Sequence, residues 1–203
     1  MKKIIQPFVL VCIGVVMFAC GSDPIADLSP EDSQVFITNY LPTANYGSYK
    51  TFSISDSIYT QKNQQIGVST GSIAQLMVNK TVSNLTQRGY TRIPKAAKPD
   101  LGVNIIYITE SQTNVVANNN SYWGNYWGYG SGYNLYYPTS YSFYQTVENY
   151  WYIEIIDLKN IRTNNNATII WNAQIRGNGL LDNDLLLTMI DKVFAQSQYL
   201  KNN

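Results

Sequence analysis

Histidine is absent from the 203-residue chain, and cysteine occurs only twice, at Cys12 and Cys20. The commonest general base and the commonest zinc ligand are therefore missing, which disfavours metal and triad chemistry. Net charge is also small. The formal balance is +1, and without Lys2 and Lys3, which sit in a segment read below as removable, it becomes 12 basic against 13 acidic residues. Nothing in that balance favours nucleic acid. A glycine-rich phosphate loop, a serine-containing elbow and a Cys-His pair are likewise missing. What remains is a chain long enough for one domain plus small appendages, able to bury most of its apolar surface without disulfides or metal.

The chain is organised around residues 72–89. Ala74, Met77, Val78, Thr81, Val82 and Leu85 fall on one helical face, whereas Gln75, Asn79, Lys80, Ser83 and Gln87 lie off it, so the spacing predicts an amphipathic helix with one buried side. Ser72 and Gln75 have capping-box spacing, and Arg88-Gly89 supplies a cation and then a left-handed stop. Leu101, Val103, Ile105 and Tyr107 then alternate with Gly102, Asn104 and Ile106 in a strand. An earlier strand is predicted over 49–55, with Phe52 and Ile54 on one face. Strand, helix and strand in this order imply a right-handed crossover between parallel neighbours.

Residues 1–19 begin with Lys2-Lys3 and continue into an apolar run broken only by Gln6 and Pro7. This is a signal-peptide layout, and the run is shorter than the roughly 20 apolar residues a bilayer span requires. It ends Met17-Phe18-Ala19-Cys20-Gly21, which resembles a bacterial lipobox, in which cleavage precedes the cysteine and its sulfur carries a diacylglycerol. Cys20 is accordingly the candidate lipidation site, and membrane lipid the first expected partner; several acyl chains, at about 0.8 kcal/mol per buried CH₂, give a durable anchor. Residues 20–45, with Pro24, Pro30 and Pro42, read as a flexible tether holding at most a short extended piece at Val35-Phe36-Ile37. Asp56-Ser57-Ile58 resembles a short bacterial O-glycosylation acceptor, with Ser57 the candidate residue; a strand-ending turn is the competing reading.

From Ser111 to Val147 no residue is charged, and aromatic side chains are spaced by Gly, Asn and Ser. Tyr122 to Tyr137 follows neither a helical nor a strand period, so 111–147 is expected to be a long aromatic insertion with a partly exposed tip. Trp123, Tyr126, Trp127 and Tyr129 are its candidate ligand contacts, because aromatic faces bind sugars and peptides at low entropic cost. A loop that merely packs on itself is the alternative. Trp151, Ile153 and Ile155, then Ile169, Trp171, Ala173 and Ile175, predict an antiparallel pair joined by a polar connection over 159–167. Leu186, Met189, Ile190, Val193 and Phe194 mark a final helix, with Asp182, Asn183 or Asp184 available as its N-cap. The fold class expected is α+β: a single domain over 46–203, a mixed sheet of four or slightly more strands with two helices on it, in βαβββα order.

Tyr49-Lys50-Thr51-Phe52, Arg88-Gly89-Tyr90, Pro99-Asp100-Leu101-Gly102-Val103, the Tyr/Gly/Trp-rich insertion, Ile153-Glu154-Ile155-Ile156-Asp157 and Ile169-Ile170-Trp171 stand in an order that resembles domain-of-unknown-function family 4136, over about residues 46–199. Asn172-Ala173 after Trp171 and the long link before Thr168 depart from the pattern. The resemblance implies a bacterial, Bacteroidetes-like envelope lipoprotein of α+β fold and transfers no catalytic residues. Its location would be the outer membrane, with the face, periplasmic or surface, left open.

The carboxylates Asp56, Asp100, Glu110, Glu148, Glu154 and Asp157 could in principle supply a glycosidase pair, but no spacing selects two of them, and they read as strand-end and surface charges. The expectation is a non-catalytic binding or assembly module without metal or cofactor, whose partner is a glycan or an envelope protein. A purely structural envelope component is the alternative, and a glycan-acting enzyme a weaker one.

Overall fold

The apolar stripe around which the chain is organised is helix α1, Ser72–Gln87. Its buried residues are Ala74, Met77, Val78, Thr81, Asn84 and Leu85, while Val82 is only half-buried. The start differs from the capping box expected. Gly71 is the N-cap and makes no side-chain bond, so Ser72 is already helical. The stop is as written in the sequence: Arg88 is the C-cap and Gly89 follows at φ 88°. A Cβ on Gly89 would lie 3.0 Å from the Asn202 carbonyl oxygen, so the turn needs glycine for space as well as for conformation.

The computed structural model describes residues 28–62, 65–110, 127, 134–136, 148–164 and 166–202. Along these the strands are β1 Val35–Tyr40, β2 Thr51–Ile54, β3 Ile58–Lys62, β4 Gln65–Ser69, β5 Thr91–Arg92, β6 Leu101–Glu110, β7 Asn134–Tyr136, β8 Glu148–Asp157 and β9 Asn166–Arg176. Helix α2, Leu158–Asn164, separates β8 from β9, and α3, Asn183–Ala195, closes the domain.

All nine strands join one mixed sheet with the path β1-β9-β8-β6-β2-β5. The centre is antiparallel: β8 lies between β6 and β9, with Val103 opposite Ile155 and Ile153 opposite Ala173. The expected parallel pairing is present: β2 pairs with the start of β6. After the turn at Asp56-Ser57 the chain resumes as β3, parallel to the far half of β6, and turns back as β4. One edge of β6 is thus lined by two short strands in succession.

The four-stranded, two-helix βαβββα arrangement is therefore corrected to nine strands and three α-helices among the described residues. The differences have physical reasons. The expected polar connection over 159–167 contains α2, whose Leu158 and Ile161 are buried. The region expected as tether contributes β1, six residues paired along β9 from Val35↔Arg176 to Tyr40↔Trp171. Short edge strands lack the double-sided apolar pattern that reveals central ones.

Alternation splits the core in two. Leu101, Val103, Ile105, Trp151, Ile153 and Ile155 point to the face covered by α1 and α3. Ile106, Ile108, Tyr150, Tyr152 and Ile156 point to the opposite face, where α2 and Trp127 pack. The helices are joined to each other by polar contacts. Asp191 bridges Lys80 at 2.6 Å and accepts from Asn84 at 2.9 Å, and Arg88 donates to the Phe194 carbonyl at 2.7 Å while lying over its ring. Burial alone would raise the Asp191 carboxyl, but the Lys80 and Asn84 hydrogen bonds and the Lys80 and Arg88 charges outweigh it and hold the group below its ordinary value. Asp182 caps α3 by accepting from the Asp184 and Leu185 amides, each at 3.0 Å.

Candidate functional site

Of the four aromatic residues expected to contact a ligand, Trp123, Tyr126 and Tyr129 lie outside the described residues, as do the leader and Cys20. Trp127 is described, and it is not an exposed stacking face. It is 5% exposed and belongs to the second core. Its place is prepared by Gly102: a Cβ there would lie 2.9 Å from Trp127 Cζ2 and 3.0 Å from Leu158 Cδ1. The absent side chain leaves room for the indole.

A polar row runs across the sheet beneath it. Trp127 Nε1–H donates to Asn104 Oδ1 at 3.1 Å, and Asn104 Nδ2–H donates to Glu154 Oε1 at 3.2 Å. Glu154 stands opposite Asn172 in the register of β8 and β9, and Asn39 Nδ2–H on β1 donates to Asn172 Oδ1 at 3.1 Å. Four adjacent strands thus contribute one amide or carboxylate each. Glu154 is fully buried, contrary to the surface position expected for it. Taking a carboxylate out of water costs several kcal/mol unless donors meet it, so this row specifies which strands and which insertion residue must meet. Sequence reasoning missed it, although Asn104 inside an otherwise apolar strand was a usable signal.

Asp157 is also buried, at 4% exposure, beside a cleft of about 330 Å³ lined by Asn45, Ser48, Tyr49, Asn160 and Thr168. Tyr49 Oη donates to Asp157 Oδ2 at 2.8 Å, the Asn160 amide donates to Oδ1 at 2.8 Å, and Asn160 Nδ2 also donates to Oδ2. Burial first, then the hydrogen bond and charge of Asp157, push the Tyr49 phenol well above its ordinary value. The phenol therefore stays protonated at neutral pH. Both carboxylate oxygens are held by donors of the domain itself, an arrangement that fixes the start of α2 against the segment entering β2.

The other carboxylates do not converge. Asp100 Oδ2 accepts from the Lys50 and Thr51 amides at 2.8 and 3.2 Å, and the Asp100 amide returns a bond to Thr51 Oγ1 at 3.0 Å, tying the starts of β2 and β6 together. Asp56 is exposed and pairs with Arg92 at 2.6 Å. Glu110 and Glu148 are register partners at the far end of β6 and β8. Ser57 is half-buried, its hydroxyl 2.8 Å from Ser55 Oγ in the turn between β2 and β3. Among the described residues no group of three or more His, Cys, Asp or Glu could hold a metal ion.

A family model described as a domain of unknown function, DUF4136, matches residues 37–197. The crystal structure of a DUF4136 family protein from Bacteroides thetaiotaomicron VPI-5482 is similar at 23% identity and a TM-score of 0.67, covering 85% of this chain and all of that one. At that identity the likeness concerns the fold. A PDZ domain protein from Parabacteroides distasonis ATCC 8503 is similar at 16% identity over 83% of this chain and 37% of that one, and its TM-score of 0.44 carries no argument. No curated protein matches.

Proposed function

The chain belongs to the DUF4136 family, and from that premise we propose that it is a lipid-anchored lipoprotein of the bacterial outer membrane whose domain is a non-catalytic binding or assembly module. The observation that carries the anchor is Ala19-Cys20 at the end of a basic and then apolar leader, ahead of the family domain. Among the described residues no helix is long and apolar enough to cross a membrane. The acyl chains on Cys20 would then hold the domain at the bilayer.

What supports a non-catalytic module is how its carboxylates are used. Asp157 is met by three donors from Tyr49 and Asn160, Glu154 lies in a row that crosses the sheet, and Asp100 joins two strand starts. The burial of Trp127 favours a structural role for that part of the insertion. Ser57 remains a glycan acceptor in this reading, since its turn is partly exposed.

Mass spectrometry of the membrane fraction tests the anchor. A mature chain starting at acylated Cys20 is expected, and Cys20→Ser should release the protein from membranes. An intact Met1 start, or unchanged membrane partition of the variant, contradicts it.

A further inference from the structure

A second cleft, of about 590 Å³, opens where the ends of β6 and β8 meet the turn before α3. That volume is within the range of small-ligand sites, roughly 300–1,000 Å³. Its aromatic wall is Tyr107, whose ring packs 4.7 Å from that of Trp151, and Trp151 is fixed by its Nε1–H bond to the Leu180 carbonyl at 2.8 Å. The opposite wall is the Gly177-Asn178-Gly179 turn, with φ 111° and 76° at its glycines. That turn is pinned: the Asn178 amide donates to Ser33 Oγ at 3.0 Å, and a Cβ on Gly177 would lie 2.4 Å from the Ser33 carbonyl oxygen. Leu181, 57% exposed, and Asp182 complete the rim.

We propose that this cleft binds a neutral oligosaccharide. The inference rests on the binding-module reading and gives it a site. Among the described residues no lysine or arginine lines the cleft, and one oxygen of the carboxylate there, Asp182 Oδ1, is occupied by the start of α3. The described lining therefore offers no cation for an anionic ligand. The Tyr107 hydroxyl and the side-chain amides of Asn149 and Asn178 have no hydrogen-bond partner among the described residues. Amides and phenols both donate and accept, which suits sugar hydroxyls, and the Tyr107 ring with Leu181 offers an apolar surface for the C–H face of a pyranose. Because Trp151 and the glycine turn are already fixed, little ordering is required on binding.

The experiment is calorimetric titration of the full-length protein in detergent with maltohexaose, cellohexaose, mannohexaose and chitohexaose. Saturable binding of at least one is expected. Asn149→Ala and Tyr107→Phe, checked by thermal melting to be folded, should each weaken it by roughly tenfold. If all four sugars fail to bind at millimolar concentration, the proposal is overturned. Binding that both folded variants retain unchanged also overturns the cleft, but leaves the binding-module reading standing. Capture of an envelope protein with no response to any sugar does the same, and none of these outcomes bears on acylation of Cys20.

Discussion

The two faces of the sheet are built on different terms. The face under α1 and α3 is closed by two helices whose apolar stripes are written at helical spacing. Its interior is mainly apolar, from Met77 and Leu85 to Met189, Val193 and Phe194, with the phenols of Tyr46, Tyr49 and Tyr90 and the hydroxyls of Thr81 and Ser197 set at its margins. The opposite face is closed in part by α2 and one indole, and it buries Asn104, Glu154 and Asn172 among aromatic and branched residues. Hydrophobic burial is non-directional and tolerates repacking, whereas a row of buried amides and a carboxylate is stable only when every partner arrives in register. The first face supplies stability, and the second specifies which pieces of chain must meet.

That contrast can be broken from the helix side first. Phe194→Ala should cost about 3–5 kcal/mol, since its ring is fully buried, stacks on Trp171 at 5.3 Å and lies under Arg88. Chemical denaturation measures it, and a cost below about 1 kcal/mol would mean that α3 does not seal the core. Tyr49→Phe should cost roughly 1.5–3 kcal/mol by removing a donor from the buried Asp157 carboxylate. The phenols of Tyr46, Tyr49 and Tyr90 are all raised above their ordinary value of 10.0, chiefly by burial. A raised value means that the folded state holds its proton longer than the unfolded one. Stability is therefore fully present below pH 10.0 and falls as pH rises above it. Denaturation midpoints that stay constant from neutral pH into that alkaline range would contradict burial of these rings.

On the other face, Gly102→Ala should cost about 1–3 kcal/mol, because the added methyl meets Trp127 and Leu158 at 2.9 and 3.0 Å. In a Trp127→Ala background the same change should cost less, since only Leu158 Cδ1 is left to meet the methyl, and a double-mutant cycle reads the coupling. Asp191→Asn should have the smallest effect, below about 1 kcal/mol, since the carboxylate is 54% exposed and its pair is screened. Its folded value lies below 3.8, so its contribution is present above that pH and is lost as pH falls through the depressed value. Acid titration of stability should show a shallower slope below pH 3.8 in the variant.

The helix face was largely legible in the sequence. The 3.6-residue stripe of α1 and the alternation of Trp151, Ile153 and Ile155 identify elements whose packing follows from their period, and the parallel pairing of β2 with β6 follows from the helix between them. The other face was not read, although its signal was present. Ile106 and Ile108 in β6, and Tyr150, Tyr152 and Ile156 in β8, occupy the phase opposite to the inward residues, and apolar residues on both phases mark a strand buried on both sides. The β3-β4 hairpin was missed because Gln61, Lys62 and Gln65 interrupt its alternation, and β1 shows in the sequence only as the short extended piece Val35-Phe36-Ile37 because prolines surround it. Trp127 could not be placed by period. Its aperiodic neighbourhood predicts exposure, whereas a single anchoring side chain needs no period at all.

The most direct test of the second face is hydrogen exchange at the indole N–H groups of the full-length protein, which contains four tryptophans. Trp127, Trp151 and Trp171 each donate to a buried acceptor, at 3.1, 2.8 and 2.9 Å. Slow exchange at all three is expected, with the Trp127 signal identified by its loss in Trp127→Phe. Exchange of the Trp127 indole at the rate of a free tryptophan would contradict the polar row and return that residue to an exposed loop.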